Sequence, residues 1–380
     1  MTPVGIAVIG AGTIADAVHL PALRRLSESF CVRAVCDLSA TRAEFVAERL
    51  GADVRATTDA AAAIDAPGVE AVLLATSGAH GQLADLALGA GRHVLAEKPL
   101  SFSLAETLAL QRRAEEQGVV LQVGYMKMYD PVVRPAAEAI ARIRRRRLVR
   151  ITVLHPDESH QLAHLRPVRV SDVDPDAVAA AGEHDLRQSE IALGATSPWL
   201  ANFYREVLCG SLSHELSLLR ALGFPLPTHF DAAEVYGGDS PAGDAPCIQA
   251  LARLDADTRL NLSWNFLPDY PNYDEELAVF GDDGRVYVQM APPYLLDARS
   301  TLVAEGAAGE TRESRRVFGS YESGFLVQLE SFAAAIQKGE PVLSDAAGAA
   351  QDVRCMLALS AAVARAQGIE IGGEATGGLQ

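Results

Sequence analysis

Gly10, Gly12 and Ala15, followed 22 residues later by Asp37, have the residue types and spacing that hold a dinucleotide. Gly10 permits a tight turn, Gly12 lets the backbone approach a pyrophosphate, and Ala15 is small enough for a helix to pack on a strand. Thr13 and Ile14 complete the turn, and a helix starting near Thr13 offers unpaired N–H groups and a positive dipole end to the anion. Asp37 can accept hydrogen bonds from both ribose hydroxyls and would repel a 2′-phosphate, which favours NAD. NADP stays open, because the residues after Asp37 could still accommodate a phosphate. Two further polar clusters, Thr76-Ser77 with His80 and Glu97-Lys98-Pro99, follow apolar runs. Lysine is rare: Lys98, Lys127 and Lys338 stand against 30 arginines, so a random basic position carries lysine about one time in eleven. A compact ammonium at Lys98 fits beside a cofactor and a substrate where a planar guanidinium does not.

The elements that must position these residues alternate. Strand-like runs at 4–9, 31–36, 69–75, 93–96 and 119–123 are separated by helical stretches at 41–50, 80–90 and 103–117. This order predicts a parallel sheet with right-handed crossovers and ligands at the C-terminal strand ends, that is, an N-terminal Rossmann domain over 1–124. From 125 to 380 the pattern changes to a substrate-binding and oligomerisation domain. A helical stretch over 131–146 ends in Arg144–Arg147 and reads as a solvated helix end. Strand-like runs follow at 148–154, 229–236, 247–254, 259–266, 275–281, 285–290 and 314–318, with helices at 205–222, 322–337 and 345–367. The fold class is therefore α/β, with the second domain α+β around a mostly antiparallel open sheet. One sheet face would be covered by helices and the other free to build a homodimer or homotetramer. Residues 156–205 have no clear period and suggest a functional loop, such as a lid or aglycone site.

The composition excludes several classes. The chain has 380 residues, 49% hydrophobic, and a net charge of −16, so nucleic acid is not expected as a partner. No apolar run is long enough to span a membrane, and no basic region precedes an apolar stretch at the start. Five cysteines without a C-x-x-C pair read as free thiols in a reducing cytoplasm. His155, His160 and His164 lie near Asp157 and Glu158, but a solvated loop is favoured over a metal site there. Trp199, Tyr204, Trp264, Tyr270 and Tyr273 offer stacking surfaces for a sugar ring or core aromatics.

GAGTIA at 10–15, Asp37, ATSGAH at 75–80, GRHVLAEKPL at 91–100 and the hinge-like VGYMKMYDP at 123–131 together resemble the glucose–fructose oxidoreductase and inositol dehydrogenase family, Gfo/Idh/MocA. The resemblance implies hydride transfer between nicotinamide and a hydroxyl or carbonyl of a sugar or cyclitol. It implies that Lys98 contacts the nicotinamide ribose and the reacting oxygen, and that Glu97 and His80 border the cofactor. It places Lys127 and Tyr129 near the expected cleft. Segment 207–223 matches the family's histidine helix and puts His214 at the acid/base position. There the chain departs from the pattern: Gly210 stands where an aspartate is usual, four residues before the histidine, and Leu212 where glycine is common. Glu215, Glu206 and Tyr204 are the nearby substitutes. No metal is required. The expected activity is an NAD(P)-dependent oxidoreductase acting on the secondary alcohol or ketone of a polyol or sugar; the alternative is a non-catalytic dinucleotide-binding sensor of the same fold.

Overall fold

The computed structural model describes residues 2–163, 165, 170–237 and 246–377. It divides into two compact units, the first made of Met1–Tyr125, Leu165–Ala192 and Phe325–Ala350, the second of Met126–His164, Leu193–Gly324 and Gln351–Gln380.

The first unit is built on six parallel strands: β1 (Val4–Ile9), β2 (Phe30–Cys36), β3 (Arg55–Thr57), β4 (Ala71–Leu74), β5 (His93–Ala96) and β6 (Leu121–Val123). Their order is β3-β2-β1-β4-β5-β6. All residues of β1 and β4 are buried, which is why both read as unbroken apolar runs: helices cover both sheet faces. Helices Ala40–Leu50 and Leu104–Gln117 start at Ser39 and Ser103, whose side chains accept N–H bonds from Arg42 and Glu106. Strand order reverses between β1 and β4, so the crevice outside their C-terminal ends is where a sheet of this kind receives a ligand.

The first unit is discontinuous in sequence: it takes up chain from three separate stretches. Helix Gly324–Lys338 brings Leu326, Leu329, Phe332 and Ala333 into the first unit's core beside Val4, Ile6 and Phe30, and Phe332 stacks on Phe30 with centroids 6.3 Å apart. Gln328 accepts a hydrogen bond from Gln122 on its backbone oxygen and donates to the Val123 carbonyl, fixing β6. The segment 165–192 also returns. Its region has no sequence period, yet Pro175–Leu193 is a 19-residue helix.

The second unit holds an eight-stranded sheet: β7 (Arg146–His155), β8 (Phe230–Tyr236), β9 (Cys247–Arg253), β10 (Arg259–Phe266), β11 (Asp274–Gly281), β12 (Gly284–Gln289), β13 (Thr301–Ala308) and β14 (Thr311–Phe318). The order is β14-β13-β12-β11-β7-β10-β9-β8, with β7 and β10 the parallel pair in a sheet otherwise antiparallel. Val149, Ile151 and Val153 alternate inward with Leu260, Leu262 and Trp264. Helix Val133–Ala141 packs on β12 and β13, so the expected helical stretch stops at Ala141. Arg144–Arg147 is accordingly no helix end. Arg145 turns the chain at φ 51°, Arg146 opens β7, and Arg147 pairs with Asp282 at 2.8 Å. Helix Ser213–Ala221 is tied to helix Ala346–Gln367 by a two-pronged Arg220–Asp352 pair, both contacts at 2.8 Å, with Asp352 wholly buried.

Candidate active site

At the C-terminal end of β1, Gly10 has φ 90°, and a Cβ there would lie 2.6 Å from the Ala75 carbonyl and the Thr76 nitrogen. No side chain fits, because the backbone after β4 closes on it. Gly12 differs: its missing Cβ would meet only an Arg42 guanidinium nitrogen at 3.9 Å. That glycine keeps space open for something other than the chain. Asp37, just past β2, accepts the Ala11 N–H on Oδ2 at 2.9 Å and the Ser39 N–H on Oδ1 at 3.0 Å. Its carboxylate is therefore fixed at the glycine turn, with acceptor capacity left for hydroxyls. Thr13 is exposed, Ile14 half-buried and Ala15 buried at the start of the π-helical turn Ala15–His19. These residues fit an NAD molecule: an open cradle at Gly12, a helix start, and a fixed acid at the ribose position.

The β4 and β5 ends carry the second cluster. Thr76 is half-buried and Ser77 exposed. His80 is buried, with Nδ1 2.9 Å from the Pro99 carbonyl and Nε2 3.2 Å from the Thr76 carbonyl, so it ties the two loops together. Burial lowers its pKa despite the two carbonyl contacts. Glu97 is buried, its Oε1 2.7 Å from His19 Nε2. Burial pushes the Glu97 carboxyl up, but the His19 hydrogen bond and the charges of His19, Lys98 and His80 outweigh it, and the net shift is downward. Gly124 presses close enough that a Cβ there would come within 2.9 Å of Glu97 Oε2. Lys98 follows, half-buried, one residue past this clamped acid.

In the second unit His214 is half-buried in the first turn of Ser213–Ala221, directly after a π-helical run, Tyr204–Leu212. Such runs often mark functional positions in helices. The next residue, Glu215, is 1% exposed and accepts from Lys127 Nζ at 2.9 Å. Lys127 also reaches Glu275, and the Tyr273 hydroxyl donates to the same Glu275 carboxylate. Burial and the neighbouring Glu275 carry Glu215 up to about 7 against the opposing pull of Lys127, while Lys127 itself is held above its ordinary value by its two carboxylates, against burial. His155, at the end of β7, meets Tyr273 edge-on at 5.4 Å, and burial lowers its pKa. Trp264 donates to Ser211 Oγ at 2.9 Å.

Comparison with known proteins adds four findings. Residues 4–125 match the family profile described as "Oxidoreductase family, NAD-binding Rossmann fold" (GFO_IDH_MocA). The myo-inositol dehydrogenase Hyg17 of Streptomyces leeuwenhoekii is 30% identical over 364 residues, 93% of this chain and 95% of that protein. The chain belongs to the Gfo/Idh/MocA oxidoreductase family. The scyllo-inositol 2-dehydrogenase (NAD(+)) of Bacillus subtilis (strain 168) is 36% identical over 100 residues, 26% of this chain, so the matched stretch spans only 29% of that relative's length. The structure of a UDP-N-acetylglucosamine 3-dehydrogenase, GnnA, from Acidithiobacillus ferrooxidans superposes with TM-score 0.69 at 21% identity, covering 96% of this chain and 98% of that one, and shows the shared fold.

For a Gfo/Idh/MocA member with NAD as its cofactor, the placement of the remaining candidates is informative. Tyr129 is 6% exposed, Tyr204 is fully buried, and Lys127 is 3% exposed with three polar partners. Lys127 thus holds two carboxylates in place within its own unit. Of the substitutes for the absent aspartate, Glu206 is exposed, Tyr204 is in the core, and Glu215 is a buried carboxyl with a near-neutral pKa. Gly210 is not required by its backbone, since its φ is not positive and an added Cβ would meet only the Arg205 carbonyl at 3.2 Å. Residues missed by sequence reasoning are His19, which orients Glu97, and Glu275, which completes the Lys127 cluster. His19 falls in the helix after the glycine turn and could have been noticed as the polar member of an apolar stretch. His160 lies in the short helix Ser159–Leu162, and His164 falls outside the described residues. Among the described residues no group of His, Cys, Asp and Glu could hold a metal ion, and no helix is long and apolar enough to cross a membrane.

Proposed function

We propose that this protein is an NAD-dependent dehydrogenase that interconverts a secondary alcohol and a ketone on a cyclitol, sugar or sugar derivative. The observation that carries this reading is the set Gly12, Asp37 and Lys98 at the C-terminal ends of β1, β2 and β5, with Asp37 fixed by two N–H donors. The whole-length relative named a myo-inositol dehydrogenase supports the cyclitol or sugar class.

The roles follow from the side chains. Asp37 accepts the ribose hydroxyls. Bound NAD supplies the hydride acceptor. Lys98 donates a hydrogen bond to the substrate oxygen and stabilises the developing alkoxide. His214 takes the hydroxyl proton in oxidation and returns it in reduction. Glu215, held by Lys127, supplies the buried carboxylate that the family's aspartate would otherwise give. A homodimer or homotetramer built on the second unit's sheet belongs to the same reading, and light scattering that found a monomer at working concentrations would reject it.

The test is reduction of NAD+, followed by absorbance, across a panel of inositol isomers, aldoses and nucleotide sugars, with Lys98→Met and His214→Asn alongside. Turnover on one class, lost in both variants while NAD+ still binds, supports the reading. Gly210 favours one second reading, a dinucleotide-binding sensor, which predicts tight NAD+ binding and no turnover on any compound.

A further inference from the structure

Helix Ala40–Leu50 begins three residues beyond Asp37, capped by Ser39. In a Rossmann unit this is where a phosphate on the ribose 2′-oxygen would be received, by the cap hydroxyl, the first free N–H groups and a nearby arginine. All three are present here: Ser39 Oγ, the Thr41 N–H, and Arg42 with a guanidinium nitrogen 3.9 Å from the position a Gly12 Cβ would take. Yet the place is taken. Asp172, brought in by the returning segment, accepts from Ser39 Oγ at 2.6 Å on one oxygen and from the Thr41 N–H at 2.9 Å on the other. Ser39 in turn donates its own N–H to Asp37. Two carboxylates, from residues far apart in the chain, therefore flank one serine at the ribose end of the fingerprint.

We propose that Asp172 is a cofactor-specificity residue: its carboxylate occupies the anion-receiving start of helix Ala40–Leu50 and excludes the 2′-phosphate of NADP, reinforcing Asp37. The proposal rests on the reading of the fingerprint as the NAD site.

The placement of Asp172 is not that of a stray surface acid. The helix that follows it, Pro175–Leu193, is fastened to the same unit at three points. His184 Nε2 lies 2.7 Å from Glu106, Ser103 donates to Gln188 at 2.6 Å, and Asp185 accepts the Ala79 N–H at 3.3 Å. Asp185 also fills the space over Gly78, where a Cβ would come within 2.1 Å of its carboxylate. The segment thus runs from the β2 end to the loop after β4. The Ser39 hydroxyl and Thr41 N–H pull the Asp172 carboxyl down to about 2, so it remains an anion throughout the physiological range. A dianionic phosphate entering there would have to displace a fixed negative charge and lose both donors.

The test uses the full chain and calorimetric titration with NAD+, NADP+ and 2′,5′-ADP. Asp172→Ser removes the charge and the acceptor; Asp172→Asn keeps the shape and removes the charge alone. Both variants should bind NAD+ within about threefold of the parent, and Asp172→Ser should bind NADP+ and 2′,5′-ADP at least about tenfold more tightly, a shift within reach of one charge–charge contact. Asp172→Asn should fall between. If the parent binds NAD+ but neither variant improves on NADP+, the role of Asp172 is overturned while the fingerprint stands. If the parent fails to bind NAD+ at all, the fingerprint reading falls and takes the proposal with it.

Discussion

Replacing Lys127 by methionine would leave two buried carboxylates without their cation. Glu215 and Glu275 are each 1% exposed, and Lys127 Nζ is the charged partner of both. Removing one partner of a buried ionic group of this kind costs roughly 3–5 kcal/mol, because the remaining charge stays desolvated. The cost should depend on pH, and the direction follows from Glu215. Its folded-state pKa is about 7 against an ordinary 4.5, so in the native protein its protonation contributes stability that is fully present below the unfolded value and lost as pH rises through 7. The difference between those values corresponds to at most about 3 kcal/mol. Without Lys127 the Glu215 carboxyl loses the charge that opposes its upward shift, so keeping it neutral in the fold costs little near pH 5 and progressively more toward pH 8.

Lys127→Met should therefore be mildly destabilised near pH 5 and lose the full roughly 3–5 kcal/mol near pH 8. Urea unfolding followed by tryptophan emission reads this directly, since both tryptophans, Trp199 and Trp264, belong to the second unit. Glu215→Gln in the parent should flatten the pH dependence of that transition across the same window. A midpoint shift equal at both pH values, or one below about 1 kcal/mol at the higher pH, would refute the view that these carboxylates are buried charges held by a single lysine.

Three further outcomes are expected. Lys98→Met, and Lys98→Arg to a lesser extent, should lower kcat about 10²–10³-fold while calorimetry shows NAD+ still bound; normal turnover in Lys98→Arg removes the residue from the mechanism. Gly12→Ala should melt like the parent and lose NAD+ affinity, because its Cβ points into open space, whereas Gly10→Ala should lower the melting temperature, since its φ of 90° and the backbone 2.6 Å away leave no room. In Glu215→Gln the pH–rate profile should lose an ionisation near 7, and a profile identical to the parent's would exclude Glu215 from the proton path.

The nucleotide half was legible because its signals are local. Gly10, Gly12 and Ala15 act within one turn, and Asp37 sits at the end of the next apolar run, so type and spacing alone placed them. The helix Pro175–Leu193 was not legible, because it docks through polar contacts, His184 to Glu106 and Gln188 to Ser103, instead of an apolar stripe with helical period. Strand β13, TLVAEGAA, has few of the β-branched and aromatic residues that mark strands; it is set by its pairing with β12 and β14. The Lys127 cluster was invisible for a different reason. Its partners lie 88 and 148 residues away, and no spacing rule connects them. The scarcity of lysine singled out Lys127, and only the fold shows that its charge is spent on carboxylates.

That cluster also bears on the departure at Gly210. An aspartate one helical turn before the histidine would place a constant negative charge beside it, favouring the imidazolium that forms when the hydroxyl proton is taken. Here the acid is the residue immediately after His214, and it shares one lysine with Glu275. With Glu215 protonated the group of three carries no net charge; with Glu215 ionised it carries one negative charge, and the change occurs at about 7. Oxidation of an alcohol releases a proton and reduction consumes one, so a neighbour that changes charge in this range makes the support for an imidazolium depend on pH, where the usual aspartate would make it constant. On the proposed reading, proton handling draws on the buried Lys–Glu–Glu group, and the pH–rate profile of Glu215→Gln tests that.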